Sequence, residues 1–314
     1  MTSQLLKVVN TVKNFTDLIN QLNILFEKNL FKDSLELIEL NLKQNSELNN
    51  NPDFLNIYGL IQLNLKDWEQ AIKPDRRNRV KMGINLLLVQ TPKFNILVDT
   101  GLGSKSSGTI KDTYSLNGNK LAKGLKQLNL SPKDINLIIL SHLQFDRAGG
   151  CTKLDRSGKL VPVFPKAKHL VQKICLEESK TPSEIEKSFV NEDDFLPLLE
   201  KDLIEELDGT SEIIPGIRTE VTGGPSKGHQ IVFIEWGSKR IVYVGSVIPT
   251  RLHIYPQNVA AYDVYPYETL QWKQKLIDMA VNEGWLLVFG NEVGSSAGYL
   301  TSNSGNLAIQ SIEL

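Results

Sequence analysis

The spacing of apolar residues changes near residue 80, and the change divides the chain. In "LINQLNILFEKNLFKDSLELIELNLKQ", Leu18, Leu22, Leu25, Phe26, Leu30, Leu35, Ile38 and Leu42 recur mostly in three- and four-residue steps, the stripe of a buried helical face. "SELNNNPDF" interrupts the stripe, and "PDFLNIYGLIQLNLKDWEQAI" starts a second helical pair. Beyond residue 80 the apolar runs are short. "GINLLLVQT" and "FNILVDTGLG", separated by "PK", predict a hairpin. "INLIILS", "KHLVQ", "IVFIEWGSKRIVYVGS" and "GWLLVFG" predict further strands, the third turning at its Gly-Ser. "KLAKGLKQLNL", "TPSEIEKSFVNEDDFLPLLEKDLIEEL" and "ETLQWKQKLIDMAVNEG" predict helices. Hairpins interleaved with helices imply sheets packed together and covered by helices, an α/β class. The expected division is a helical extension over 1–74 and a mixed domain over 75–314.

The two helical pairs are alike. "LFEKNLFKDSLELI" and "LIQLNLKDWEQAI" each run helix, polar turn, aromatic, helix, with Phe31 and Trp68 in equivalent places. This resembles tetratricopeptide-type hairpins, which repeat about every 34 residues. The resemblance implies a surface for a protein partner.

Composition narrows the function classes. A formal net charge of −1 gives no field towards nucleic acid or an anionic membrane, and "KPDRRNRVK" reads as a solvated linker or an early strand. Two cysteines, Cys151 and Cys175, in neither a C-x-x-C nor a zinc-type spacing, exclude a disulfide framework and fit a reducing compartment. The sequence shows no apolar run approaching 18 residues and no cleavable leader pattern at its start, so the expected location is the cytoplasm.

Chemistry concentrates in "LSHLQFDRAGG", Leu140 to Gly150, where a buried strand runs into a His, an Asp and paired glycines. A hydrolytic zinc site needs converging His and carboxylate ligands with one open position. A loop after a strand, with glycines that let backbone approach the metal, is a compact way to supply them. The stretch resembles the H-x-H-x-D-H…G-G motif of the metallo-β-lactamase superfamily. The likeness continues, in order, through "NILVDTGLG", "VTGGPSKGHQ", "IVYVGSVIPT" and "LLVFGNEV". Together with "RRNRV", "IPTRLH" and "AYDVYP", these segments point to the lactonase-like branch. The implied fold is an αββα four-layer sandwich following the all-α extension.

The resemblance implies a metal site that this sequence does not complete. His142 and Asp146 keep ligand types, whereas Gln144 and Arg147 replace two histidines, Pro225 a third, Ser246 the metal-bridging Asp and Asn291 the last His. Arg147 cannot lose its proton and cannot ligate a cation. Gln144 and Asn291 offer neutral oxygens unsuited to zinc, and Pro225 offers no side-chain donor. The expectation is no metal and no cofactor. An Arg147–Asp146 pair, ringed by Gln144, Ser246 and Asn291, would take the metals' place. Asp99 is implied to support the loop, and His253, Tyr262 and Tyr265 to line the cleft. Cys151 reads as a small buried residue.

Three functions follow. The first is a pseudoenzyme acting as a binding or scaffolding module, with a protein partner on residues 1–74 and a small molecule in the cleft. In the second, Arg147, Asp146 and His142 perform metal-independent catalysis on an ester, lactone or related substrate. The third is residual mononuclear hydrolysis.

Overall fold

The computed structural model describes residues 72–105, 114, 120–256, 258–303 and 306–313. The helical pairs expected before residue 72 therefore lie outside the described residues. Residues 81–314 group into one unit and residues 1–80 into another. In the latter, Asp75 draws "KPDRRNR" into an exposed turn, accepting hydrogen bonds from the Arg77 and Arg79 backbones and from the Arg79 guanidinium.

The expected hairpin forms from β1 (Leu87–Gln90) and β2 (Asn95–Val98), closed where Thr91 Oγ1 accepts from the Phe94 backbone. Helix α1 (Leu121–Gln127) precedes β3 (Leu137–Ile139), which joins β2 in parallel. The one-turn helix α2 (Phe145–Ala148) and a small hairpin, β4 (Thr152–Leu154) and β5 (Leu160–Pro162), come next. Then follow β6 (Lys168–Gln172), α3 (Lys173–Lys180), α4 (Leu196–Leu199) and β7 (Ile204–Leu207). Among the described residues, the first sheet runs β1-β2-β3-β6-β7.

The second sheet is built from β8 (Ser211–Ile214), β9 (Ile217–Val221), β10 (Gln230–Trp236) and β11 (Lys239–Tyr243). Helix α5 (Pro266–Glu283) leads to β12 (Leu286–Val288), β13 (Ala297–Asn303) and β14 (Asn306–Ile312). The order is β14-β13-β12-β11-β10-β9-β8, antiparallel except where β11 and β12 run side by side.

Strand alternation makes the layers. Ile96, Val98 and Ile139 of the first sheet pack against Val232, Ile234, Leu286 and Val288 of the second, forming the core between them. The opposite faces carry Leu97 and Ile138 towards α1, α3 and α4, and Ile231, Phe233 and Leu287 towards Leu276, Ile277 and Ala280 of α5. Helix, sheet, sheet and helix therefore stack as expected.

One long helix expected from the pattern is corrected. Residues 181–207 form 3₁₀ turns at Glu186–Ser188 and Glu192–Asp194, the short α4, and then strand β7. Asn191 accepts from Asp193 N to start a new turn, and Pro197 fits a first helical turn but not a helix interior. Among the described residues, no helix is long and apolar enough to cross a membrane.

Candidate functional site

The segments carrying the motif residues leave the ends of β2, β3, β11 and β12 and converge where the two sheets meet. Just past β2, Asp99 is fully buried and takes a left-handed backbone (φ 58°). This turn aims its carboxylate at the β3 loop, where Oδ1 accepts from Ser141 N (2.7 Å) and Oδ2 from Ser141 Oγ (2.9 Å). Tyr243, the last residue of β11, donates its hydroxyl to Asp99 Oδ2 (2.8 Å).

Arg147, on α2, occupies the centre and is 0% exposed. Its Nη1 donates to Tyr243 OH (3.2 Å) and towards the Gly290 carbonyl (3.4 Å). Its Nη2 donates to Ser246 Oγ (3.1 Å) and to Asn291 Oδ1. Asn291 is oriented for this contact because its Nδ2 donates to the Gly83 carbonyl (3.1 Å). Asp146 faces Arg147 Nε at 3.4 Å and Asp99 at 3.8 Å, as ion pairs in which Nε makes no hydrogen bond. Burial works against the guanidinium charge, but Asp146, Tyr243 and Asp99 outweigh it and raise the Arg147 pKa above its ordinary value. Burial, and next the Asp99 charge, push the Tyr243 phenol well above its usual range.

Two imidazoles stand beside this hub with ring centroids 5.1 Å apart. His229 Nε2 accepts from Ser246 N (3.1 Å), so its proton sits on Nδ1, which faces Thr222 Oγ1 at 2.7 Å. Burial first, then His142 and Arg147, hold its pKa well below the usual imidazole range. His142 Nδ1 lies 3.1 Å from Ser141 Oγ, and its Nε2 has no partner. Burial lowers the His142 pKa as well, so both rings are neutral near pH 7.

The arrangement brings together most of the residues singled out from the sequence. Arg147, Asp146, Ser246 and Asn291 form the expected polar cluster. Gln144 is corrected: no Arg147 donor reaches it, and its Nε2 is buried without a partner. Its backbone instead leads into α2 and bridges to Val190. Pro225 contributes its carbonyl, which accepts from Val264 N (3.2 Å). His253 pairs with Thr250 Oγ1 (2.8 Å), Tyr262 packs edge-on against Phe189, and Tyr265 donates to Glu178 Oε1 (3.2 Å). The paired glycines have a different use from the one expected. A Cβ at Gly150 would sit 2.2 Å from the Thr100 carbonyl, so the pair admits the neighbouring Thr100–Leu102 backbone. Cys151 is buried as expected, and burial pushes its thiol up to about 12.

Tyr243 and Ser141 were missed by sequence reasoning. Tyr243 looked like one more β-propensity residue in "RIVYVG". Ser141 was the strand's last letter, with nothing to show that Asp99 would bind it.

The donor set does not fit a metal centre. Among the described residues, no group of three or more His, Cys, Asp or Glu side chains could hold an ion. The Ser246 hydroxyl and the Asn291 amide oxygen are already bonded to the Arg147 guanidinium, and His229 has both ring nitrogens engaged. A cation there would face the fixed Arg147 charge.

Comparison with known proteins agrees on the fold. The crystal structure of a probable metal-dependent hydrolase from Staphylococcus aureus superposes with a TM-score of 0.72 at 27% identity, over 79% of this chain and 88% of that one. AidC, a dizinc quorum-quenching lactonase solved with its product, superposes with a TM-score of 0.62 at 19% identity, over 74% and 80%, a likeness of fold alone. An N-acyl homoserine lactonase of Bacillus thuringiensis is 31% identical over 159 residues, 47% of this chain. The match spans 56% of that lactonase, about half its length. The metallo-beta-lactamase superfamily model matches residues 80–291, and with the αββα layers and the motif order, the chain belongs to that superfamily.

Proposed function

We propose that this chain is a metal-free superfamily member in which the Arg147 guanidinium takes over the structural role of the metal ions, and that it works as a non-hydrolytic binding module. The observation that carries this reading is that Arg147 is fully buried and spends both terminal nitrogens on Tyr243, Gly290, Ser246 and Asn291. The guanidinium's four terminal N–H bonds are thus taken, and its one free N–H, on Nε, faces Asp146 and Asp99, which argues against its use as an anion-stabilising catalytic group. The cavity lined by His142 measures about 10 Å³, far too small for a lactone ring. Residues 1–74 would supply the partner surface and a reducing compartment the setting, in keeping with two free, buried thiols.

The relatives' lactonase activity frames the test. The purified full chain is analysed for zinc, iron and manganese, and is assayed on N-acyl homoserine lactones and a panel of esters and thioesters. We expect no stoichiometric metal and no turnover above buffer. Stoichiometric metal with chelator-sensitive hydrolysis would overturn the reading. One observation favours a second reading, metal-independent chemistry at His142: its Nε2 is buried, neutral and unpartnered. Hydrolysis that survives chelation and is lost in His142→Gln would establish that alternative.

A further inference from the structure

Among the described residues, β14 forms one edge of the second sheet, with Ala308, Gln310 and Ser311 exposed on it. An open row of backbone N–H and C=O groups is a template for a further strand, and folds usually blunt such an edge. The other three edges of the two large sheets are blunted. β1 has only four residues, β7 presents Glu205 and Glu206 to solvent, and β8 carries Glu212 and breaks its register between Glu212 and Ile214. β14 differs from all three. Its seven residues pair with β13 in unbroken register, and none of them is charged.

The lack of charge extends over the whole hairpin. No Asp, Glu, Lys or Arg occurs from Val293 to Ile312, in a chain that is 23% charged. The far end of the same sheet is different, with Arg218 and Glu220 on β9, Glu235 on β10, and Lys239 and Arg240 on β11. Arg251 donates to Ser311 Oγ (3.1 Å), but it is ion-paired with Glu292 (3.4 Å). The β13–β14 end also exposes Tyr299 beside Gln310, and it leaves Leu307 and Ile309 half-buried against the α5 core. Depleted of charge and holding an aromatic, this exposed region has the composition of an interface core and not of a solvated surface.

We infer that β14 is a dimerisation edge, on which β14 of a second copy of this chain pairs antiparallel and continues the sheet across a two-fold axis. A second copy fits because a strand without charges meets itself with no like charges opposed. A two-fold axis at Ile309 pairs all seven residues, setting Ala308 opposite Gln310 and Leu307 opposite Ser311. It brings the two Ile309 side chains together as a cross-strand pair and extends the half-buried apolar strip beside α5. One patch serves both copies, so the contact closes at two. The charge and the broken register of β8 keep the sheet from growing at its other end.

The test is sedimentation equilibrium of the full chain from low-micromolar to sub-millimolar concentration, where a species of twice the chain mass is expected. Ala308→Lys with Gln310→Lys sets lysine against lysine across the axis and should raise the dimer dissociation constant about tenfold or more. Ala308→Lys with Gln310→Glu sets opposite charges face to face and should keep the dimer. Both positions are exposed, so neither pair of changes should alter the fold seen by circular dichroism. Should the double-lysine chain not fold, amide exchange of the parent gives a second reading: residues 306–312 should gain protection as the concentration rises. A parent that stays monomeric, a dimer that the two lysines leave intact, or a Lys–Glu chain that dissociates like the double-lysine chain would overturn the inference. So would β14 amides already protected in the monomer, which would place the cover of this edge within one chain.

Discussion

Gly290 leaves the space that the Arg147 guanidinium fills. A Cβ at position 290 would lie 2.5 Å from Nη1 and 3.0 Å from Cζ. A flexible side-chain end often swings aside from such a contact, but this one is held by Tyr243, Ser246 and Asn291 in a closed interior. Gly290→Ala should therefore destabilise the chain by about 1–3 kcal/mol through overpacking. Urea denaturation checks this, and an unchanged midpoint would mean that the guanidinium has somewhere else to go.

Arg147 itself should tolerate no conservative exchange. Lysine keeps the charge but has no planar fork, so it cannot reach Tyr243 and Ser246 on two nitrogens at once. Removing the charge leaves the buried Asp99 carboxylate, and the partly exposed Asp146 beside it on Arg147 Nε, without their shared cation. Breaking a buried pair in this way costs about 3–5 kcal/mol, so Arg147→Ala should lose that much. Arg147→Lys should recover less than half of the loss. Equal stability of Arg147→Lys and the parent in denaturant titrations would sink the view of Arg147 as a geometric hub.

Stability should fall on mild acidification. Burial lowers the pKa of His169 to about 4, and burial with the nearby Lys273 charge does the same for His253. Each ring binds a proton more readily unfolded than folded, so stability is fully present above the unfolded pKa of about 6.5. It is lost as the pH drops from there towards 4, by at most about 1.4 kcal/mol per pH unit for each ring. Asp263 opposes this, because burial raises its carboxyl to about 7 and the folded chain holds that proton more tightly. Burial also lowers His142 and His229 and raises Glu178 and Asp194, so four histidines stand against three carboxyls and leave a net loss. Urea midpoints at pH 7.5, 6 and 5 should decline, and less steeply in His169→Gln if that variant folds.

The layers were legible because strand alternation and hairpin spacing are local. Ile96 and Val98 turn inward and Leu97 outward whatever else the chain does. The motif frame was legible for the same reason, since α2 and the β3 loop carry it within a dozen letters. Long-range pairings were not. Tyr243 reaches Asp99 over 144 positions and Arg147 over 96, and no periodicity announces such contacts. The acidic stretch 181–207 shows the opposite failure. Its Leu and Glu content favours helix locally, but β6 needs a neighbour on its open edge, and β7 supplies it.

If a guanidinium replaced a metal, reversing the exchange should recreate a site. Arg147 Nη2 already touches Asn291, and Asp146 lies beside Nε, so histidines at 147 and 291 would flank the Asp146 carboxylate. Two imidazoles and one carboxylate suffice for zinc with an open fourth position. The single Arg147→His variant offers just one imidazole and Asp146 there, because Asn291 is a poor ligand. Equilibrium dialysis against micromolar zinc should therefore find no bound ion on the parent chain and less than stoichiometric metal on Arg147→His. The Arg147→His, Asn291→His double variant should bind about one equivalent, with a thermal midpoint that rises on adding zinc, because an ion bound to the folded state stabilises it. Parent protein that binds as much zinc as the double variant would show that Arg147 never excluded the metal.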